Sequence, residues 1–332
     1  MSDIAVLGAG SWGTTLADLL ARKGHTVRLW AYEGEVVEAI NRSHENPLFL
    51  PGVPLAPPLR AVADTREAVA GAGVIVSASP SHAVRAVLSQ LDGMVRPGTL
   101  VVSATKGIEN ETLALMSAVV TECLPGVRVA ALSGPSFALE VCQGQPTAVV
   151  AAAPDAATAQ DAQRVFATPN FRVYSNQDAI GVELAGALKN VIAIAAGILE
   201  GLGMGHNPRA ALITRGLAEI TRLGVAMGAD PLTFAGLAGM GDLVLTATGG
   251  LSRNRALGVA LALGERYEAY QAAHRSVAEG ANTSRAGAAL GERHGVELPI
   301  TRQVCDVLFR GKSPREGVAE LMTRELKSEQ WR

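Results

Sequence analysis

The feature that most constrains this chain is a change of texture along it. Through its first half, short apolar β-branched runs alternate with helix-like stretches, and after about Gln177 the strand-like runs nearly vanish. Residues 4–7 read as a strand, 12–23 as a helix ending at Gly24, 26–30 as a second strand and 33–42 as a second helix. A proline-punctuated connection follows, from Pro47 to Pro58. Asp64 and Glu67 then have capping-box spacing and open a further helix. Residues 74–77, 99–103, 127–132, 147–152 and 171–174 read as strands, with a helix near 155–166. Continuous apolar strands separated by helices predict βαβ units and a mostly parallel sheet covered on both faces.

Beyond residue 177, Ala, Leu and Gly recur at helical spacing. Residues 178–200, 209–228, 253–263, 284–294 and 301–309 read as helices, with Asp178 as an N-cap and Gly224, Gly264 and Gly295 as stops. The expectation is therefore α/β plus all-α: a Rossmann-like domain over 1–177, then a helical C-terminal domain over 178–332. A length of 332 residues suits two such domains.

Composition removes several function classes. Net charge is −2 and aromatic residues are 4% of the chain, so neither a basic surface nor stacking platforms for nucleic acid are expected. Three scattered cysteines without a CxxC offer no zinc site, and no metal is expected. The best apolar run, 184–199, is interrupted by Lys189, and no signal-like segment precedes Ile4, so a cytoplasmic protein without stable membrane insertion is expected. The Ala/Gly-rich helical half offers a packing face for a homodimer.

Gly8-Ala-Gly10-Ser11-Trp12-Gly13 follows the first strand and opens a helix. Gly8 suits the tight turn, Gly10 lets backbone approach a pyrophosphate, and Gly13 lets the helix pack on the strand. The helix N-terminus favours the anion. The acid that usually binds the ribose is replaced by Ala31, and neither Ala31 nor Tyr32 is basic. Arg28 is nearby, and the residues alone leave cofactor preference open.

Several other segments carry candidate chemistry. Lys106 follows a strand at the carboxyl edge of the sheet, either as a solvated charge or as an anion ligand. Gly134-Pro135-Ser136 forms a turn in the same position one strand on. Lys189 sits in a small, apolar helix: either it snorkels to the rim, or it is buried, where its pKa would fall and suit it to donate a proton to a ketone oxygen. Asp242 lies in a glycine-rich, uncharged setting. Ser252 reads as a helix N-cap with Arg253 and Asn254 in the first turn, where a cation is disfavoured unless an anion binds; the turn is either a phosphate site or a solvated charged turn. Val277 and Glu279 form either a loop edge or a contact to a cofactor amide.

These blocks together resemble the bacterial NAD(P)-dependent glycerol-3-phosphate dehydrogenases: GAGSWG (8–13), ATKG (104–107), SGPSFA (133–138), ALKNVIAI (187–194), ALITRGL (211–217), LAGMGDLVLT (237–246), SRNR (252–255), Glu279-Gly280 and LPIT (298–301). The resemblance implies reduction of dihydroxyacetone phosphate, a phosphorylated triose, to sn-glycerol 3-phosphate for glycerophospholipid synthesis. It implies Lys189 as the proton donor. Lys106, Gly134, Ser136, Lys189, Asp242, Ser252, Arg253 and Asn254 would bind substrate. Ser11, Trp12, Lys106, Ala138, Arg253, Val277 and Glu279 would contact the cofactor, along with the Gly8–Gly13 loop. Tyr32 stands where the family usually carries Arg or His, which weakens without cancelling the implied preference for NADP over NAD.

Overall fold

The computed structural model describes residues 2–275, 277–326, 328 and 329. Met1, at the start of the first expected domain, and Ser276, Lys327 and residues 330–332 of the second lie outside the described residues. Eight strands form one sheet: β1 (Asp3–Leu7), β2 (Thr26–Trp30), β3 (Arg60–Val62), β4 (Val74–Ser77), β5 (Leu100–Ser103), β6 (Arg128–Ser133), β7 (Thr147–Ala152) and β8 (Phe171–Asn176). Their order is β3-β2-β1-β4-β5-β6-β7-β8, parallel except between β6 and β7. Ile4–Leu7, Val74–Ser77 and Leu100–Ser103 are buried throughout, as strands covered by helices on both faces must be.

Register decides where the loops emerge. Leu7 pairs with Trp30 and with Ser77, and Ser77 pairs with Ser103. The segments after β1, β2, β4 and β5 therefore leave the sheet side by side, at the carboxyl edge where ligands bind in open α/β sheets. β3 was not anticipated from sequence. It is three residues long and follows the proline-rich connection, where no periodicity could register.

The helical half is built around Ala179–Gly201, a mostly apolar helix buried on every side from Gly181 to Leu199 and therefore central rather than superficial. It is long and apolar enough to cross a membrane, yet its apolar window is wholly buried inside the fold. Glycines let neighbours approach it closely. A Cβ on Gly197 would stand 2.0 Å from the Arg255 carbonyl oxygen, and one on Gly258 would stand 2.0 Å from that of Ile194. The helix Arg253–Ala262 consequently lies directly against the Lys189 helix.

Three expectations need correction. Gly224 does not stop a helix: it lies inside His206–Ala226, where an added Cβ would stand 2.1 Å from the Phe234 ring. Its lack of a side chain serves tertiary packing. The helix expected at 284–294 begins at Glu279, so Glu279 and Gly280 form its first turn rather than a loop edge. Asp64 does cap its helix, but through the Arg66 N–H.

Candidate active site

The glycine-rich loop has the geometry its spacing suggests. Gly8 adopts φ +117°, and a Cβ there would press to 2.8 Å of the Ala78 backbone. A Cβ on Gly13 would stand 1.9 Å from the Gly8 carbonyl oxygen, so only glycine lets the helix Ser11–Arg22 sit this close to β1. Among the described residues nothing lies within 4 Å of the same position on Gly10, and no side chain caps the helix. The open space beside Gly10 and an uncapped, positive helix end together fit a dinucleotide pyrophosphate. The buried Trp12 Nε1 has no hydrogen-bond partner among the described residues.

The loop is held from the side by a residue that sequence reading missed. Asn46, fully buried just before the proline-rich connection, donates to the Ala9 carbonyl at 2.8 Å and to Thr14 Oγ1 at 2.8 Å. A single Asn beside prolines gives no signal of such a role. Ala138 opens the helix Ala138–Cys142, and its carbonyl accepts weakly from Thr15 Oγ1 at 3.4 Å, which brings this helix beside Ser11. Tyr32 stands apart just beyond β2, 84% exposed. Arg28 is committed elsewhere, donating to the Ala68 carbonyl at 3.1 Å and to that of Ala70.

The polar centre of the cleft is a carboxylate shared by two lysines. Lys106 donates to Asp242 Oδ2 at 2.6 Å and to the Gly134 carbonyl at 2.9 Å. Lys189 donates to Asp242 Oδ1 at 2.9 Å and to Thr246 Oγ1 at 2.6 Å. Lys189 is only 6% exposed. Burial pulls its pKa down to about 8. Asp242 opposes that fall, while Lys106 and Arg253 add to it. The Asp242 carboxyl is also buried, which alone would raise its pKa, but the two ammonium groups hold it below the ordinary value.

Local structure explains how Asp242 gets there. Leu237–Gly241 forms one turn of π-helix that runs into the helix Asp242–Thr248. Gly239 allows that turn, since a Cβ would stand 2.0 Å from the Phe234 carbonyl oxygen. Such wide turns re-aim side chains and recur at functional sites. Thr246, one turn after Asp242, donates back to the Asp242 carbonyl at 2.7 Å, which leaves its oxygen lone pair for Lys189. Sequence reading missed Thr246, although its i+4 spacing from an acid on a helix was available.

The remaining predicted residues surround this pair. Ser136 donates to the same Gly134 carbonyl that Lys106 uses, at 2.9 Å. Ser252 caps its helix by accepting the Arg255 N–H at 3.2 Å. Arg253 is exposed at that helix mouth, close enough to Lys189 to depress its pKa and close enough to Glu279 to feel its charge. Asn254 is buried, donating to Asn190 Oδ1 at 2.9 Å and accepting the Gly280 N–H at 2.9 Å. Its amide thus ties the Arg253 turn to the Lys189 helix and to Gly280. Glu279 accepts the Ser81 N–H at 2.9 Å and the Ser81 hydroxyl at 2.5 Å, so it bridges the two halves, while Val277 is half-buried just before it.

The site can therefore cradle a dinucleotide at one end of the sheet edge, neutralise an anion at Arg253 and donate a proton from a dry ammonium between them.

Comparison with known proteins agrees with this geometry. Residues 3–159 match the family model for the N-terminus of NAD-dependent glycerol-3-phosphate dehydrogenase, and residues 178–319 match the model for its C-terminus. The chain is 56% identical over 331 residues to the glycerol-3-phosphate dehydrogenase [NAD(P)+] of Geobacter sulfurreducens, covering 99% of each chain. It is 54% identical over 328 residues to that of Nitratidesulfovibrio vulgaris strain DP4, covering 98% of this chain and 99% of the other. Among solved structures, glycerol-3-phosphate dehydrogenase from Coxiella burnetii superposes with TM-score 0.93 at 42% identity, over 97% of this chain and 99% of that one.

Proposed function

The chain belongs to the NAD-dependent glycerol-3-phosphate dehydrogenase family; it is an NAD(P)-dependent enzyme interconverting dihydroxyacetone phosphate and glycerol 3-phosphate, and from that premise we propose that Lys189 is its proton donor. The observation that carries this assignment is the environment of Lys189 Nζ. Of its three N–H groups, Asp242 and Thr246 occupy two, and the third is left for a ketone oxygen. A pKa drawn down to about 8 keeps it protonated near neutrality and still able to give the proton up.

The nicotinamide, when bound, supplies a hydride to C2 of the substrate. As the carbonyl C=O bond becomes a C–O single bond, Lys189 transfers one proton to the oxygen and is left neutral. The reverse reaction returns that proton to it. Asp242 and Thr246 hold Lys189 in place, Lys106 anchors Asp242 through its other oxygen, and exclusion of water keeps the charge unscreened. Arg253, at the mouth of the helix capped by Ser252, supports binding of the substrate phosphate, with bidentate geometry available to its guanidinium. Gly134 and Ser136 line the approach, and Asn254 braces the turn. Gly8, Gly10, Ser11, Trp12 and Gly13, with Ala138, Val277 and Glu279, form the proposed cofactor cradle.

We further propose NADPH over NADH, glycerophospholipid synthesis as the use of the product, a cytoplasmic location and a division between 1–177 and 178–332. The end of β8 at Asn176 and the cap at Asp178 support that boundary. A homodimer is supported by exposed apolar residues on adjoining segments of the helical half, Ile180, Val225 and Leu232.

The direct test follows NADPH oxidation on adding dihydroxyacetone phosphate. Turnover with the phosphorylated ketone, and about a hundredfold or greater loss of kcat/KM with unphosphorylated dihydroxyacetone, is expected from losing a charge-assisted bidentate contact. Equal rates on both would overturn the phosphate-site assignment.

A further inference from the structure

Glu183 lies six residues before Lys189 on the same helix, and its buried carboxylate points away from the reaction centre toward the sheet domain. Its Oε1 accepts the Ser117 N–H at 2.8 Å, and its Oε2 accepts the Ser117 hydroxyl at 2.5 Å. Ser117 is the second residue of the helix Met116–Cys123, which has no side-chain cap of its own and no acid in its first turn. A helix start exposes unpaired N–H groups and a partial positive charge. Glu183 thus provides, from the other half of the molecule, the cap that the local sequence lacks.

The next turn of the Lys189 helix is also seated on the sheet domain. A Cβ on Gly186 would lie 2.5 Å from Ser133 Oγ, at the end of β6, and 3.7 Å from Lys106 Cγ. Lys189 follows and shares Asp242 with Lys106. Three successive points along one helix therefore set its distance from the sheet edge: a clasp at Glu183, a close approach at Gly186 and the shared carboxylate at Lys189. Gly186 permits closeness without enforcing it, whereas Glu183 makes directional bonds.

We propose that Glu183 is a positioning residue for ketone reduction: by clamping the Lys189 helix to the start of Met116–Cys123, it holds the Lys189 amine dry and at its working distance from Lys106. The proposal rests on Lys189 being the proton donor. The clasp acts through geometry rather than charge. A neutral carboxyl, or an amide, still accepts the Ser117 N–H on one atom and donates to Ser117 Oγ from the other. The charged groups facing Lys189 itself are Asp242, Lys106 and Arg253.

The test compares pH profiles of kcat and kcat/KM for dihydroxyacetone phosphate reduction in wild type, Glu183→Ala, Glu183→Gln, Ser117→Ala and Lys189→Met. Glu183→Ala is expected to lower kcat about 10- to 100-fold through misplacement of the donor. Its alkaline limb, where the donor loses its proton, moves to higher pH, because water admitted beside Lys189 relieves the burial that favours the neutral amine. NADPH affinity stays at the wild-type value. Glu183→Gln keeps kcat within about threefold, since the amide preserves both bonds. Ser117→Ala shifts the limb in the same direction by less, and it decides the matter should Glu183→Ala not fold. A wild-type limb in the variants lacking the clasp, or Gln as damaging as Ala, overturns the proposal. Undiminished turnover in Lys189→Met would instead overturn the donor assignment, whatever the clasp variants do.

Discussion

Lys106 and Lys189 hold opposite oxygens of one buried carboxylate, reaching Asp242 from the sheet loop on one side and from the central helix on the other. Asp242 offsets the two ammonium charges and is the main group keeping the Lys189 pKa from falling further. Asp242→Asn should therefore move the alkaline limb of kcat/KM to lower pH. The variant should also be less stable by about 3–5 kcal/mol, the usual cost of removing one partner from a buried pair. A limb that stays in place would show that Asp242 does not tune the donor; pH profiles and denaturant melts read the two effects.

Lys189→Met should lower kcat about 10²–10⁴-fold, the range of a general acid's contribution. It has a stability signature as well. The amine titrates at about 8 in the native protein, against an ordinary 10.5. Between those values the unfolded chain binds the extra proton, so wild-type stability rises with pH across that window. Lys189→Met lacks the ionisation, so its stability relative to wild type should fall from about pH 8 to 10.5. Parallel urea titrations at each pH measure the difference.

The last two glycines of the nucleotide loop, Gly10 and Gly13, should separate binding from folding. Gly13→Ala forces a Cβ to 1.9 Å of the Gly8 carbonyl oxygen, so it should lower Tm along with NADPH affinity. Gly10→Ala meets nothing within 4 Å. Its Tm should hold, while NADPH affinity falls at least about tenfold because the methyl intrudes where backbone approaches the pyrophosphate. A Gly10→Ala protein binding NADPH normally would place the cofactor elsewhere.

Tyr32→Arg tests the discriminator of the two cofactors. The position is open to solvent, so the change should leave stability alone. A guanidinium there should raise the kcat/KM ratio of NADPH to NADH by about tenfold, the yield of one charge-assisted contact to the 2′-phosphate. An unchanged ratio would exclude this position.

Arg253→Ala should act mainly on KM for dihydroxyacetone phosphate, by about a hundredfold. Added inorganic phosphate should compete with substrate in wild type and lose that effect in the variant. Competition of equal strength in both would remove Arg253 from the phosphate site.

Much of this architecture was legible beforehand because the signals are local. β2, β4 and β7 run as their apolar periodicity indicates, and the Gly8–Gly13 spacing carries its own steric logic. The small apolar residues around Lys189 allowed either a buried or a rim position, and the fold buries it. Other features left no trace. Gly224 looks like a helix stop in sequence, yet it makes room for Phe234 inside a continuous helix. Asn46 and Ser81 sit in unremarkable polar stretches, and their partners, Ala9 and Glu279, lie far away along the chain.

Taken alone, the sequence determined the alternation that makes a parallel sheet, the turn that opens a dinucleotide cradle, and a lysine set among small apolar residues. These depend on residue type and short-range spacing, which a linear chain displays directly. Only the tertiary structure decided that Asp242 serves two lysines at once, that Thr246 takes the second Lys189 proton, and that Glu183 caps a helix belonging to the other half. Those pairings arise because strand register brings several loops to one edge and glycine seams let helices close upon it. A hydrogen bond has a reach of about 3 Å, and which groups come within it is set by the packing of the whole chain.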